Sequence, residues 1–307
     1  MIVGIEHLAD IIVQSIWSVV LIVGLAWFVE QRHPIEPRQS RSDIFLEYRL
    51  ILTNIVLKRL VAPLSGVLMA MVVNMVGGGF ITLRGDGWWF PLSFAIIIFI
   101  VEVEGYWIHR LQHSVPFLWS MHSLHHSAEA MTAATGARHY WVEGAILAAL
   151  LPSAAMLFKF PPEVLRIVPY FFITEQLAHM NAKVQLGPLT LVLNNPQFHR
   201  IHHSVEPQHY DKNFCKNLPI MDIIFGTAWI PAKDEFPRTG LLTKEKPESV
   251  LEGIIWPIRR VPAFRKLVGL TSENPSAIGS WLYSKRLFGF LARFKPVPSD
   301  ARKMKFE

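Results

Sequence analysis

The chain of 307 residues has a single cysteine, Cys215. One thiol excludes an internal disulfide framework, a CxxC redox pair, a zinc ribbon and a cysteine-held iron–sulfur cluster, each of which needs at least two. Any metal must be held by other side chains. Charge is also scarce: charged residues make up 18% of the chain against 51% hydrophobic, too apolar a balance for an ordinary soluble globule. The sequence has no GxGxxG, no P-loop, no HExxH, no cytochrome b5-like haem segment, no internal repeat and no low-complexity tract. Redox chemistry here would therefore draw its electrons from a separate donor protein or reductant.

The net charge of +6 is local. Residues 232–307 hold fifteen of the thirty Lys and Arg against eight Asp and Glu. Trp256, Phe264, Trp281, Phe288 and Phe294 are interspersed with those cations, and segments 250–268 and 277–294 read as amphipathic helices. Anionic lipid headgroups are the partner this pattern suits, and nucleic acid is not expected.

Long uncharged runs are abundant. Ile11–Val29 is nineteen residues without a charge, close to the ~20 a bilayer requires. With no basic segment before it and no small-residue cleavage site after it, it is expected to remain as an anchor. Further runs are Leu60–Val76, which ends at Gly77-Gly78-Gly79, and Trp88–Val101, which opens on an interfacial tryptophan pair. Residues 30–59 carry six Lys and Arg, which places them on the cytoplasmic side. A final apolar pair within 144–180 is broken by Lys159-Phe160-Pro161-Pro162-Glu163 and reads as two tilted spans or a re-entrant pair. The expectation is an all-α polytopic membrane protein with about four transmembrane helices under a cytosolic helical cap. It divides into N-terminal transmembrane helices (1–101), a catalytic segment (102–231) that includes the hairpin 144–180, and a basic cytosolic tail (232–307).

Histidine is in excess: eleven of the thirteen lie between His109 and His209. They include an HxxxH, His109 and His113, and two HxxHH groups, His122/His125/His126 and His199/His202/His203. Spacings of three and four put imidazoles on one helix face, so the three imidazoles of an HxxHH group are expected to reach one locus. Eight imidazoles buried without partners would cost several kcal/mol. Ligation relieves that cost, and all-imidazole sites suit iron, zinc or copper rather than magnesium or calcium. His7 and His33 have no such neighbours and are assigned no role.

From Glu102 to Thr227 the chain resembles the fatty acid hydroxylase/sterol desaturase superfamily of integral-membrane, histidine-rich di-iron enzymes. The likeness runs through Tyr106-Trp107-Ile108-His109-Arg110, His113, Leu118-Trp119, His122 and His125-His126-Ser127. It continues through Arg138-His139, Glu143, His179-Met180-Asn181 and Asn195-Pro196-Gln197-Phe198-His199-Arg200-Ile201-His202-His203. It ends with His209-Tyr210-Asp211-Lys212-Asn213-Phe214 and Asp222 to Thr227. Glu102 and Tyr140 stand where members often carry aspartate and proline.

The resemblance implies metal ligation by His109, His113, His122, His125, His126, His199, His202 and His203, with His179 as a ninth ligand. His139 would be a tenth ligand or a hydrogen-bonding neighbour. Asp211 and Asp222 would orient imidazoles or serve turns and caps. Arg110 and Arg200 are expected to point away from the metals, toward Glu102 and Glu104 or lipid phosphate. The implied enzyme holds two iron ions, with zinc able to substitute, uses O2, and hydroxylates or desaturates a lipid C–H bond on the cytoplasmic face of a bacterial inner or endoplasmic reticulum membrane. A dimetal lipid hydrolase and a metal-transport protein are the rival classes.

Overall fold

A computed structural model describes residues 5–37, 39–150, 157–168 and 173–260. It is built from three long helices, α1 (Ile5–Arg32), α2 (Arg41–Met75) and α3 (Trp89–Ser114), with most of the short helices around the C-terminal end of α3. α2 and α3 are each long and apolar enough to cross a membrane. Helix α1 contains the uncharged run Ile11–Val29. The bridge between α1 and α2 is shorter than the sequence suggested. α2 begins at Arg41, where the Ser40 side chain accepts from the Asp43 N–H, and runs on through Pro63. Arg41, Arg49, Lys58 and Arg59 thus belong to a helix and not to a loop.

A two-residue strand in the α2–α3 link, β1 (Ile81–Thr82), pairs in parallel with β2 (Phe158–Lys159), which lies in the break of the apolar hairpin. The Leu83 N–H donates to the Lys159 carbonyl at 3.0 Å. The close approach requires glycine at 79, where a Cβ would meet Lys159 Cγ at 2.6 Å. His109 lies twenty residues beyond Trp89, about 30 Å along α3 from this pairing. The hairpin therefore reaches from Glu143 beside the histidines to the far end of α3 and does not turn back midway. Its arms include α5 (Glu143–Leu150), α6 (Pro162–Leu165) and α7 (Ile173–Ala178).

The histidine end is tied down by buried polar bonds. Glu30, near the end of α1, accepts from the backbone N–H of Ala133 and of Asn181, which fixes a 3₁₀ turn (Ala133–Ala137) and the exit of α7. Two further short helices follow, α8 (Pro196–His202) and α9 (Ile220–Ile224).

After them come α10 (Val250–Ile254) and α11 (Trp256–Arg260), which form the start of the basic tail. Trp256 is not at a surface: it is 4% exposed, packs with Leu118, Met121 and Leu124, and donates its indole N–H to Ser123 Oγ. Trp256 is thus a core residue and not a lipid anchor. Segment 277–294, and 250–268 beyond Arg260, lie outside the described residues.

Candidate metal centre

α3 continues without a break from its apolar half into the HxxxH, so His109 and His113 leave it one turn apart on one face. α4 (Pro116–His126) starts two residues later with proline at its first position, where no N–H is needed, and carries His122, His125 and His126. α8 is opened by Asn195, whose side chain accepts from the N–H groups of Gln197 and Phe198, with Pro196 at its first position. It carries His199 and His202, and His203 caps its end. His179 follows α7 directly.

These nine side chains converge as two adjacent groups. His109, His113, His122, His126 and His202 offer ring nitrogens within 4.8 Å of one another, and so do His125, His179, His199 and His203. Each HxxHH group is divided two and one, contrary to a single shared locus: His122 and His126 face one group and His125 the other, while His199 and His203 face the second group and His202 the first. Consecutive helical residues point about 100° apart, so the two adjacent histidines of a triplet diverge. The groups abut through the stacked rings of His126 and His203, with centroids 4.3 Å apart.

The protonation pattern argues for a cation in each group. Phe214 O, Lys212 O and Glu175 O accept from the Nδ1–H of His109, His202 and His179 at 2.7, 2.8 and 2.6 Å. Glu143 Oε1 accepts from His122 Nδ1–H at 2.8 Å. A carbonyl can only accept, so these rings keep the proton on Nδ1 and leave a bare lone pair on Nε2. Yet His109 Nε2 and His122 Nε2 lie 3.0 Å apart. In the second group His179 Nε2 lies 2.9 Å from His199 Nε2 and 3.1 Å from His125 Nε2. The bare lone pairs of His109 and His122 repel at that distance, and in both groups about 3 Å is the edge expected between neighbouring nitrogens that share an ion at ~2.1 Å. His202 Nε2, both nitrogens of His203, His125 Nδ1 and His199 Nδ1 are buried without a hydrogen-bond partner among the described residues. Burial lowers the imidazoles of His125, His126, His199 and His203 well below their ordinary pKa and that of His202 to about 3, which keeps them neutral as ligation requires.

Glu143 is the functional residue to which the sequence alone gave no role. Besides His122 it accepts from Gln112 Nε2 and the Tyr140 N–H, and His139 Nδ1 lies 3.7 Å from its other oxygen. Burial opposes its ionisation, but His122 and His139 hold the carboxyl far below the usual carboxylate range. Its signal was its position four residues after His139, at the start of an apolar arm where a charge is costly. His139 stacks on His125 at 4.3 Å and stands outside both groups, beside Glu143.

The remaining residues sit outside the two groups. Asp222 reaches no imidazole; it accepts from the N–H groups of Phe214 and Cys215 and from Thr227 Oγ1, so it steadies the carbonyl that orients His109. Asp211 lies in a turn with φ of 60° and is not in either group. Arg200 pairs with Glu36 and donates to Pro237 O, while Arg110 lies over the rings of Tyr106 and Trp107. Glu102 partners neither arginine: it accepts from Asn217 and Leu218 and secures the loop after Phe214. His209, fully buried, hydrogen-bonds Ser204 and Glu235 away from the centre.

Residues 94–227 match the family model described as fatty acid hydroxylase. The chain is 32% identical over 159 residues to an alkylglycerol monooxygenase of Caenorhabditis elegans, covering 52% of this chain and 31% of that protein. It is 30% identical over 162 residues to the ornithine lipid hydroxylase OlsE of Rhizobium tropici, covering 52% and 48%. It also shares 26% identity over 208 residues with Protein CER1-like 2 of Arabidopsis thaliana, 63% of this chain and 33% of the relative. The chain thus spans less than half the length of these relatives, and no solved structure matches it significantly. Over residues 94–227, which carry all nine histidines of the two groups, the chain is thus similar to the fatty acid hydroxylase domain.

Proposed function

We propose that the protein is a membrane-bound non-haem di-iron oxygenase that hydroxylates a C–H bond of an amphiphilic lipid, using O2 and electrons from a separate donor. The observation that carries this reading is the pair of adjacent all-imidazole groups, in the first of which the Nε2 lone pairs of His109 and His122 face one another. Hydroxylation is favoured over desaturation because the alkylglycerol monooxygenase and the ornithine lipid hydroxylase are both named for inserting oxygen into a lipid.

Two iron ions, when bound, would supply the activation of O2 that an unactivated C–H bond demands. His109, His113, His122, His126 and His202 would hold one and His125, His179, His199 and His203 the other. The rest of the chemistry belongs to the chain. Glu143 and the carbonyls of Lys212, Phe214 and Glu175 hold the protons on Nδ1 and turn each Nε2 inward. The aromatic and aliphatic wall of Trp119, Phe214, Leu118 and Leu124 keeps bulk water from the centre. Glu143, spent on orienting His122 and on the Tyr140 N–H, is not left over as the bridging carboxylate a dimetal hydrolase would use. Long apolar helices ending at the centre suit a substrate drawn from the bilayer, with the metal site on the cytoplasmic face.

Purified protein loaded with iron should consume O2 only when both a reductant and a lipid are supplied, with a product 16 mass units heavier than the substrate. Reductant-independent cleavage of the lipid would move the assignment to a hydrolase.

A further inference from the structure

Helix α9 has the reverse of the polarity expected of a surface helix in water. Asp222 points inward, fully buried, and accepts from the N–H groups of Phe214 and Cys215, while Met221 packs with Tyr106 and Phe214. Outward, Ile220, Ile223, Ile224 and the following Phe225 are between 36% and 58% exposed. A face this apolar, carrying no charge, needs an apolar cover. Phe225 stacks on Tyr106 at 5.3 Å and meets Trp107 edge-on at 4.9 Å, so the face stands beside α3. A second apolar projection, Leu189 and Val192, is 63% and 64% exposed. It is tied to the same region of α3: the Asn194 N–H donates to the Asn217 carbonyl, and Asn217 donates to Glu102.

We propose that α9 and the Leu189–Val192 projection are embedded in the lipid bilayer at the boundary between acyl chains and headgroups, so that the histidine centre sits at headgroup depth and not above the membrane. The inference rests on reading α3 as a membrane span and is independent of the oxygenase chemistry. Distances along α3 favour this depth. The uncharged run Trp88–Val101 is about 20 Å long at ~1.5 Å per residue, too short for a ~30 Å hydrocarbon core. From Trp88 to Trp107 the distance is about 28 Å, which makes Trp88 and Trp89 one interfacial belt and Trp107 the other. Arg110, nearly one turn further on, lies over the Trp107 ring at 5.5 Å, at the height of lipid phosphate. The two carboxylates in between are compatible with that depth: Glu102 is 2% exposed and accepts from Asn217 and Leu218, and Glu104 is half-buried and partnered. The exposed apolar side chains of α3, Trp89, Leu92 and Phe99, stop one turn short of Val103, where α9 packs, and α9 carries the apolar surface on. His109 then lies only about 3 Å beyond the Trp107 belt along the helix.

The test is fluorescence quenching by lipid-borne nitroxides. Cys215 is buried, so a single introduced cysteine can be labelled with an NBD maleimide. The labelled full chain is reconstituted into phosphatidylcholine vesicles that carry a nitroxide either near the headgroup or near the bilayer centre. A label at Ile224→Cys should emit at shorter wavelength than one at the exposed Gln208→Cys and be quenched about threefold more strongly by the nitroxide near the headgroup. Val192→Cys should behave as Ile224→Cys does and serves if that variant does not fold. Phe99→Cys, in the middle of α3, should be quenched by the deep nitroxide. Quenching at Ile224→Cys no stronger than at Gln208→Cys, with Phe99→Cys quenched, would overturn the embedding and leave α3 a span. Short-wavelength emission at Ile224→Cys without lipid quenching would also overturn it and assign the face to a protein partner, a second copy of this chain included. Phe99→Cys left unquenched would remove the span and the embedding together.

Discussion

Glu143 and His122 share a buried bond that fixes which ring nitrogen faces the metal position, and this pair is the most exacting place in the site. Glu143→Gln keeps the shape but sets an amide N–H₂ among three donors, so metal content and turnover should fall about 10- to 100-fold, read by elemental analysis and product formation. His122→Ala and His202→Ala should abolish turnover while the protein remains inserted in the membrane. His33→Ala, an exposed side chain away from both groups, should change stability by no more than about 0.5 kcal/mol in thermal melts. Asp222 acts one step further out. Asp222→Asn leaves at least one buried N–H of Phe214 or Cys215 poorly paired, at a cost of about 1–3 kcal/mol, and loosens the carbonyl that orients His109. Glu143 was hard to read from the chain because a carboxylate's role depends on which donors the fold brings to it.

At the scale of elements, two helix starts follow from local sequence. The Asn195-Pro196 pair opens α8 and Pro116 opens α4, each signalled by a residue whose backbone suits a first turn. The partition of each HxxHH between two groups was legible in principle, since 100° per residue separates neighbours. What could not be read is that α11 folds back onto α4 and α10 onto α2. Charge and aromatics in the tail suggest a membrane surface, but Trp256 sits under Leu118 and Met121 and bonds Ser123, between His122 and His125 on α4. Trp256→Ala should therefore cost about 3–5 kcal/mol in a denaturation midpoint and loosen metal binding, because the cavity opens directly behind a ligand helix. A purely interfacial role would instead lower membrane association with no effect on bound metal.

For the whole molecule, buried neutral imidazoles set the response to acid. Their folded pKa values lie below the ordinary ~6.5, so the unfolded chain binds more protons, and stability present above that value is lost as pH falls through it toward about 3, the value for His202. Thermal melts of metal-depleted protein should show a falling midpoint from pH 7 to pH 5, steeper than for a His202→Gln variant. The arrangement of helices is testable with the buried Cys215 as a quiet background. Thr82→Cys and Lys159→Cys should react with an impermeant maleimide from one side of the membrane and Gln208→Cys from the other.

The sequence by itself determined the apolar helices, the placement of the histidines at one end and their chemistry, because hydropathy and helical spacing act over short stretches of chain. Only the tertiary structure decided which imidazoles share a group, that Glu143 and backbone carbonyls hold four of them in one tautomer, and that Arg138 lines a cavity behind them. Each of those contacts joins residues on different elements, and a spacing rule has no information about which elements will meet.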